Sequence, residues 1–180
     1  MDWNALRRIV TANDENGRSS VLIDGAAAAN LAVEESGLAE IWTAALAGSS
    51  VYADADSLAD QPVALEPEAG AVKVRWFTVA PEDPQQTDEE REAAAAFGFA
   101  AAQASEARVD TTRHPMMHKT ATLDVIILVR GQVDLLLDDG EAKAMKPGDV
   151  VIQKATNHAW VNHGDETAVL VAVLIHPKED

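Results

Sequence analysis

His118-Lys119-Thr120-Ala121-Thr122-Leu123-Asp124-Val125-Ile126-Ile127-Leu128 is the stretch that decides the fold. Alternate side chains of an extended strand share a face, so His118, Thr120, Thr122, Asp124, Ile126 and Leu128 point the same way. With Ile126 and Leu128 turned into a core, His118 and Asp124 are turned into it as well. A buried imidazole and a buried carboxylate are costly unless something partners them. This strand therefore brings chemistry to the inside of the protein.

Downstream of it the chain reads as strands joined by tight turns. Val133, Leu135 and Leu137 alternate with Asp134 and Asp138, the period of a half-buried strand. Asp139-Gly140 and Pro147-Gly148 are turn signals. Short strands follow over 149–153, 158–162 and 167–175, the last apolar on both faces and therefore central. In the second of these, His158, Trp160 and Asn162 share one face, which puts an aromatic wall beside an imidazole. Even spacing of short strands argues for a barrel or sandwich.

Upstream, Arg7–Thr11 and Ser19–Ile23 flank the polar run Asn13–Gly17 and predict a hairpin. The alanine-rich segment 25–36 reads as loop or short helix. Strands are expected over 40–43 and 72–79. One helix is predicted from Asp88 to Gln103, because Thr87 and Glu90 form a capping box, and Phe97 is its expected anchor. It interrupts strands, so it should pack outside the sheet or cover an opening.

Lys and Arg number 14 against 30 Asp and Glu, a formal net charge of -16. Such a surface repels phosphate backbones and anionic lipid, so neither nucleic acid nor membrane is an expected partner. The absence of cysteine removes disulfides, thiolate metal sites and thiol nucleophiles together. With no signal peptide or spanning stretch in the sequence, the expected location is cytoplasmic.

The clusters His118-Lys-Thr-Ala-Thr-Leu-Asp124 and Thr156-Asn-His158-Ala-Trp160-Val-Asn162 resemble the paired motifs of the cupin superfamily, with Gly131 fixing the register. They look like those of small bacterial single-domain cupins of unassigned function. The resemblance implies an all-β fold, a double-stranded β-helix or RmlC-like jelly-roll barrel, with an N-terminal strand extension and one inserted helix. The whole is expected to be a single domain: strands and loops over 1–80 packing on the barrel, a connector with the helix over 81–110, and the barrel motifs over 111–180.

In that register His118 takes the first histidine position of the first motif, Thr120 the second and Asp124 the place of the glutamate. In the second motif Gly148, His158 and Asn162 match, while Gln153 and Ala155 replace a proline and a glycine. The resemblance implies a divalent metal (Fe, Mn, Ni or Zn) on His118, Asp124 and His158, although aspartate is one methylene shorter than glutamate and threonine is a poor ligand. His114 shares the parity of His118 and is the nearest compensating ligand. The implied roles are His118 and His158 in catalysis, with Thr120, Trp160 and Asn162 around a small-molecule substrate. The same residues also suit a plain reading, in which the histidines hydrogen-bond Asp124 and Thr120 without metal and Trp160 fills the core. Two functions follow: a metal-dependent enzyme acting on a small carbonyl, carboxylate or aromatic compound, or a metal-free, non-catalytic cupin that binds a small metabolite. A homodimer is the expected assembly.

Overall fold

A computed structural model describes residues 3–48 and 55–178. Its framework is two sheets facing each other across one apolar core. The larger has six strands: β3 (Asn30–Val33), β4 (Ser36–Ala45), β5 (Ala71–Val79), β11 (Ala168–Ile175), β6 (Leu123–Arg130) and β9 (Val150–Lys154), hydrogen-bonded in that spatial order. The smaller is β10 (His158–Val161), β7 (Val133–Leu137) and β8 (Lys143–Met145). All the pairings are antiparallel. This is the jelly-roll arrangement expected of the sequence.

Strand β11 lies between β5 and β6, as its two apolar faces required. Its inner residues Ala168, Leu170, Ala172 and Leu174 are buried with Ile126 and Leu128 of β6, Leu135 of β7 and Trp160 of β10. Gly131 closes the β6–β7 turn at a φ of 80°. A Cβ there would stand 2.9 Å from the Ala168 Cα, so the turn and the close approach both demand glycine.

The N-terminal residues do more than pack on a barrel: β3, β4 and β5 extend its larger sheet, β5 pairing directly with β11. Residues 25–36, read as loop or helix, hold the end of β2 (Ser19–Ala26) and all of β3. β1 (Arg7–Asn13) and β2 form the predicted hairpin. Arg8 of β1 is buried and ties this hairpin down through Asp56 and the Ile41 carbonyl.

The helix, α1, runs from Asp88 to Ala101 with both halves of the capping box made. It ends before Gln103, which takes a positive φ of 56° while the Ala104 N–H turns back to the Phe99 carbonyl. Phe97 is not its anchor, being 65% exposed, whereas Phe99 is 6% exposed. Ala95 and Phe99 sit four residues apart on the inward face, and Phe97 lies on the opposite side of the helix. No helix among the described residues is long and apolar enough to cross a membrane.

Candidate functional site

His118 and His158 meet through their backbones. They form an isolated antiparallel bridge in which each N–H donates to the other's carbonyl, at 2.8 and 2.9 Å. Directly opposed residues project side chains to the same side, and the two rings lie 4.3 Å apart, centroid to centroid. His158 is buried and His118 is on the wall of a cavity of about 410 Å³. Phe99 of α1 lies tilted against His118 with its centroid 5.0 Å away, and Trp160 meets His158 edge-on at 5.5 Å. The helix therefore forms part of the cavity wall.

The proton positions follow from the partners. Nδ1 of His118 lies 2.9 Å from the Met116 carbonyl, and Nδ1 of His158 lies 3.0 Å from the Thr156 carbonyl. A carbonyl only accepts, so each Nδ1 carries the proton and each Nε2 presents a lone pair. Neither Nε2 has a hydrogen-bond partner among the described residues. Burial holds both imidazoles neutral. It lowers the pKa of His118, and together with the neighbouring His118 it pushes His158 down to about 3.

Asp124 moves the other way. It is buried on β6 with Oδ1 unpartnered, and burial raises its carboxyl to about 6, against the Thr122 hydroxyl, which lowers it. Between Asp124 and His158 the usual order is inverted, the carboxyl standing above the imidazole. Thr120 is buried beside it with its hydroxyl spent on Thr122 at 2.8 Å.

The expected metal set is only half assembled. Two imidazoles with free Nε2 atoms and Nδ1 atoms fixed on carbonyls suit a divalent ion. Among the described residues, however, no three His, Asp or Glu side chains form a group able to hold one. His114 does not compensate: its Nε2 is 2.8 Å from Glu82 and its Nδ1 accepts the Met116 N–H. The residues present do not fit a three-ligand metal site.

Asn162 is fully buried and braces the end of β10. Its amide donates to the Val79 and Glu166 carbonyls and accepts the Gly164 N–H, which leaves both its hydrogens committed. Ala155, in the place of a glycine, takes a positive φ of 50°. Gln153 clasps that turn from β9 by donating to Thr156.

Sequence reasoning missed Arg75. It lies on β5 opposite Glu40 of β4 and Ala172 of β11, lines the cavity, and its side chain is 2% exposed. The signal was present: strand alternation over 71–77 puts Ala71, Lys73, Arg75 and Phe77 on one face, so two cations share a face with apolar residues.

Residues 107–174 match the family model described as "Cupin domain". The chain carries a cupin domain. The match takes in both histidines, Asp124 and all of the smaller sheet. Curated relatives include phomopsin biosynthesis cluster protein C' of Diaporthe leptostromiformis, 45% identical over 47 residues, which are 26% of this chain and 25% of that protein. The cupin-domain-containing oxidoreductase srdD of Neurospora crassa is 48% identical over 66 residues, 35% of this chain and 34% of that one. The chain thus matches about a quarter to a third of these relatives' length. They are fungal, and the expectation of a bacterial subfamily finds no support among them. Among solved structures, the polyketide cyclase RemF of Streptomyces resistomycificus is 13% identical, with a TM-score of 0.43 over 82% of this chain and 69% of that one. A double-stranded β-helix cupin of Methanocaldococcus jannaschii is 14% identical, with a TM-score of 0.39 over 63% and 76%.

Proposed function

We propose that this cupin is an enzyme that moves a proton on a small, largely apolar, hydroxylated carbonyl compound. The carrying observation is the pair of fixed tautomers: two neutral imidazoles, each held through Nδ1 on a carbonyl, offer two adjacent Nε2 acceptors to one cavity. Their natural complement is a substrate hydroxyl. Asp124, with its carboxyl near 6, gives or takes the proton at the neighbouring carbon. Trp160 and Phe99 supply apolar walls, and Thr120 shapes the floor. Relatives named for biosynthesis clusters support a small biosynthetic intermediate as substrate.

The test is solvent deuterium exchange into α-hydroxyacetophenone, followed by proton NMR. Acceleration by the full chain that falls on the order of a hundredfold in Asp124→Asn supports the assignment. No acceleration over buffer overturns it.

A second reading is a divalent ion held by His118 and His158 alone, favoured by two adjacent Nε2 lone pairs with no donor between them. Elemental analysis of untagged protein with His118→Ala and His158→Ala decides it: near-stoichiometric metal lost in both variants supports an ion on the pair. The absence of metal after incubation with excess Fe, Mn, Ni or Zn leaves the metal-free site, as enzyme or as metabolite-binding module. A cytoplasmic homodimer remains the proposed state, with a second copy covering the outer face where Val150 and Ile152 of edge strand β9 are 55% and 54% exposed.

A further inference from the structure

Arg75 is a buried cation whose hydrogen bonds are half made. Nη2 donates to Glu40 at 2.8 Å and to the Ala64 carbonyl at 2.5 Å, while Nε and Nη1 are buried with no partner. Buried guanidinium N–H groups are rarely left unmatched, and three of the five are unmatched here. The neighbouring charges do not supply the missing acceptors. Lys73 draws on the same Glu40 oxygen at 3.8 Å, so two cations share one carboxylate on that wall. Lys73 itself is satisfied by the Ala64 and Glu66 carbonyls. Asp124 lies across β11 and makes no hydrogen bond to Arg75, its Oδ1 being unpartnered too. Arg75, Asp124 and Thr120 all line the cavity, which sets this cation in the wall a ligand would touch, with its unmatched N–H groups buried within that wall.

We infer that Arg75 forms an anion subsite in the cavity, which takes a carboxylate or another acidic oxygen of the ligand. A charge-assisted bond from a desolvated guanidinium is among the strongest polar contacts available, and the planar group favours flat, delocalised anions. The subsite rests on the reading that this cavity is where the ligand binds, and it adds the ligand's charge. The imidazole pair then holds a neutral hydroxyl, while Arg75 holds the acidic end.

Calorimetric titration of the full chain with benzoate and with its neutral isostere benzamide tests the subsite without needing turnover. Benzoate is expected to bind roughly tenfold more tightly than benzamide, a preference that collapses to about one in Arg75→Met and survives in His158→Ala. Glu40→Gln removes the internal competitor and is expected to sharpen the preference several-fold, which keeps the test open if Arg75→Met does not fold. Equal or weaker binding of benzoate in the unaltered protein, including no binding of either probe, overturns the subsite. So does a benzoate preference that persists without Arg75. Failure of the exchange reaction with the benzoate preference intact would sink the catalytic proposal and leave the subsite standing.

Discussion

His118 and His158 are paired backbone to backbone, and this single bridge aligns two rings that come from segments 40 residues apart in sequence. No third element is needed to set their separation, because opposed residues of an antiparallel pair project to the same side. Each ring is then turned by a carbonyl two residues before it, so the two tautomers are products of local chain geometry. The site is therefore as rigid as the bridge that carries it.

The tautomers predict an NMR signature. In nitrogen-15 spectra of the full chain, His158 should show a protonated Nδ1 and a bare Nε2 that does not titrate between about pH 5 and 8. A folded-state pKa near 3, against 6.5 for the free side chain, means that the unfolded chain takes up a proton the native state refuses. Stability from this group is complete above the unfolded value and is lost as pH falls from about 6.5 toward 3, by on the order of 3–5 kcal/mol. His158→Gln should flatten that part of the acid-unfolding curve. A His158 that titrates near 6.5 would remove the basis of the assignment.

Asp124 predicts the opposite slope. Its native pKa is raised from 3.8 to about 6, so the native state holds a proton that the unfolded state has released. Stability from this group falls as pH rises from about 4 to 6 and stays low above that. Asp124→Asn should raise stability by roughly 2–3 kcal/mol at pH 8 and leave it nearly unchanged at pH 4, measured by urea unfolding. Equal effects at both values would show that the carboxyl is not desolvated in solution.

Two phenylalanines on one helix should behave differently. Phe99→Ala removes the ring that lies against His118 and packs with Ala104 and Ala107, and should cost roughly 3–5 kcal/mol by thermal or chemical unfolding. Phe97→Ala, on the solvent side, should fall within about 0.5 kcal/mol of the unaltered protein.

The barrel strands were legible because their signals are local. Period-two alternation placed Asp124, Ile126 and Leu128 on one face of β6, and turn glycines punctuated the rest, but His118 lies outside that strand, before a bend at 121–122, and is set by its bridge to His158 instead. The helix start was legible through Thr87 and Glu90, whose side chains satisfy orphan N–H groups whatever the tertiary fold. The anchor was not, because choosing between Phe97 and Phe99 depends on which face meets the cavity. The alanine-rich 25–36 segment hid β3 because alanine carries little strand preference, and only pairing with β4 decides its state. At the site, parity revealed which side chains face inward but not which of them converge, so Asp124 could be named without knowing that no three-ligand group forms among the described residues. Arg75 went unnoticed because its partner Glu40 sits 35 residues away, and cross-strand register is invisible until the sheet is assembled.

Gly131 carries the last prediction. It fixed the register of the sequence motif, and in the fold it is the residue that lets β6 turn into β7 against β11. Its φ of 80° lies in the left-handed region, where a Cβ costs about 1–2 kcal/mol. The added methyl would also sit 2.9 Å from the Ala168 Cα, a backbone atom that cannot swing aside, and Ala168 opens the central strand. Relieving the clash would shift the pairing of β11, which contributes Ala172 and Leu174 to the cavity wall. Gly131→Ala should therefore lose at least about 2 kcal/mol of stability in urea unfolding and weaken ligand binding in the cavity as well. Gly17→Ala, at a φ of 74° with open space around the added methyl, isolates the conformational part and should cost about 1–2 kcal/mol with binding unchanged. Equal losses in the two variants would mean that β11 tolerates the displacement and that the close approach at Ala168 is not what holds the turn.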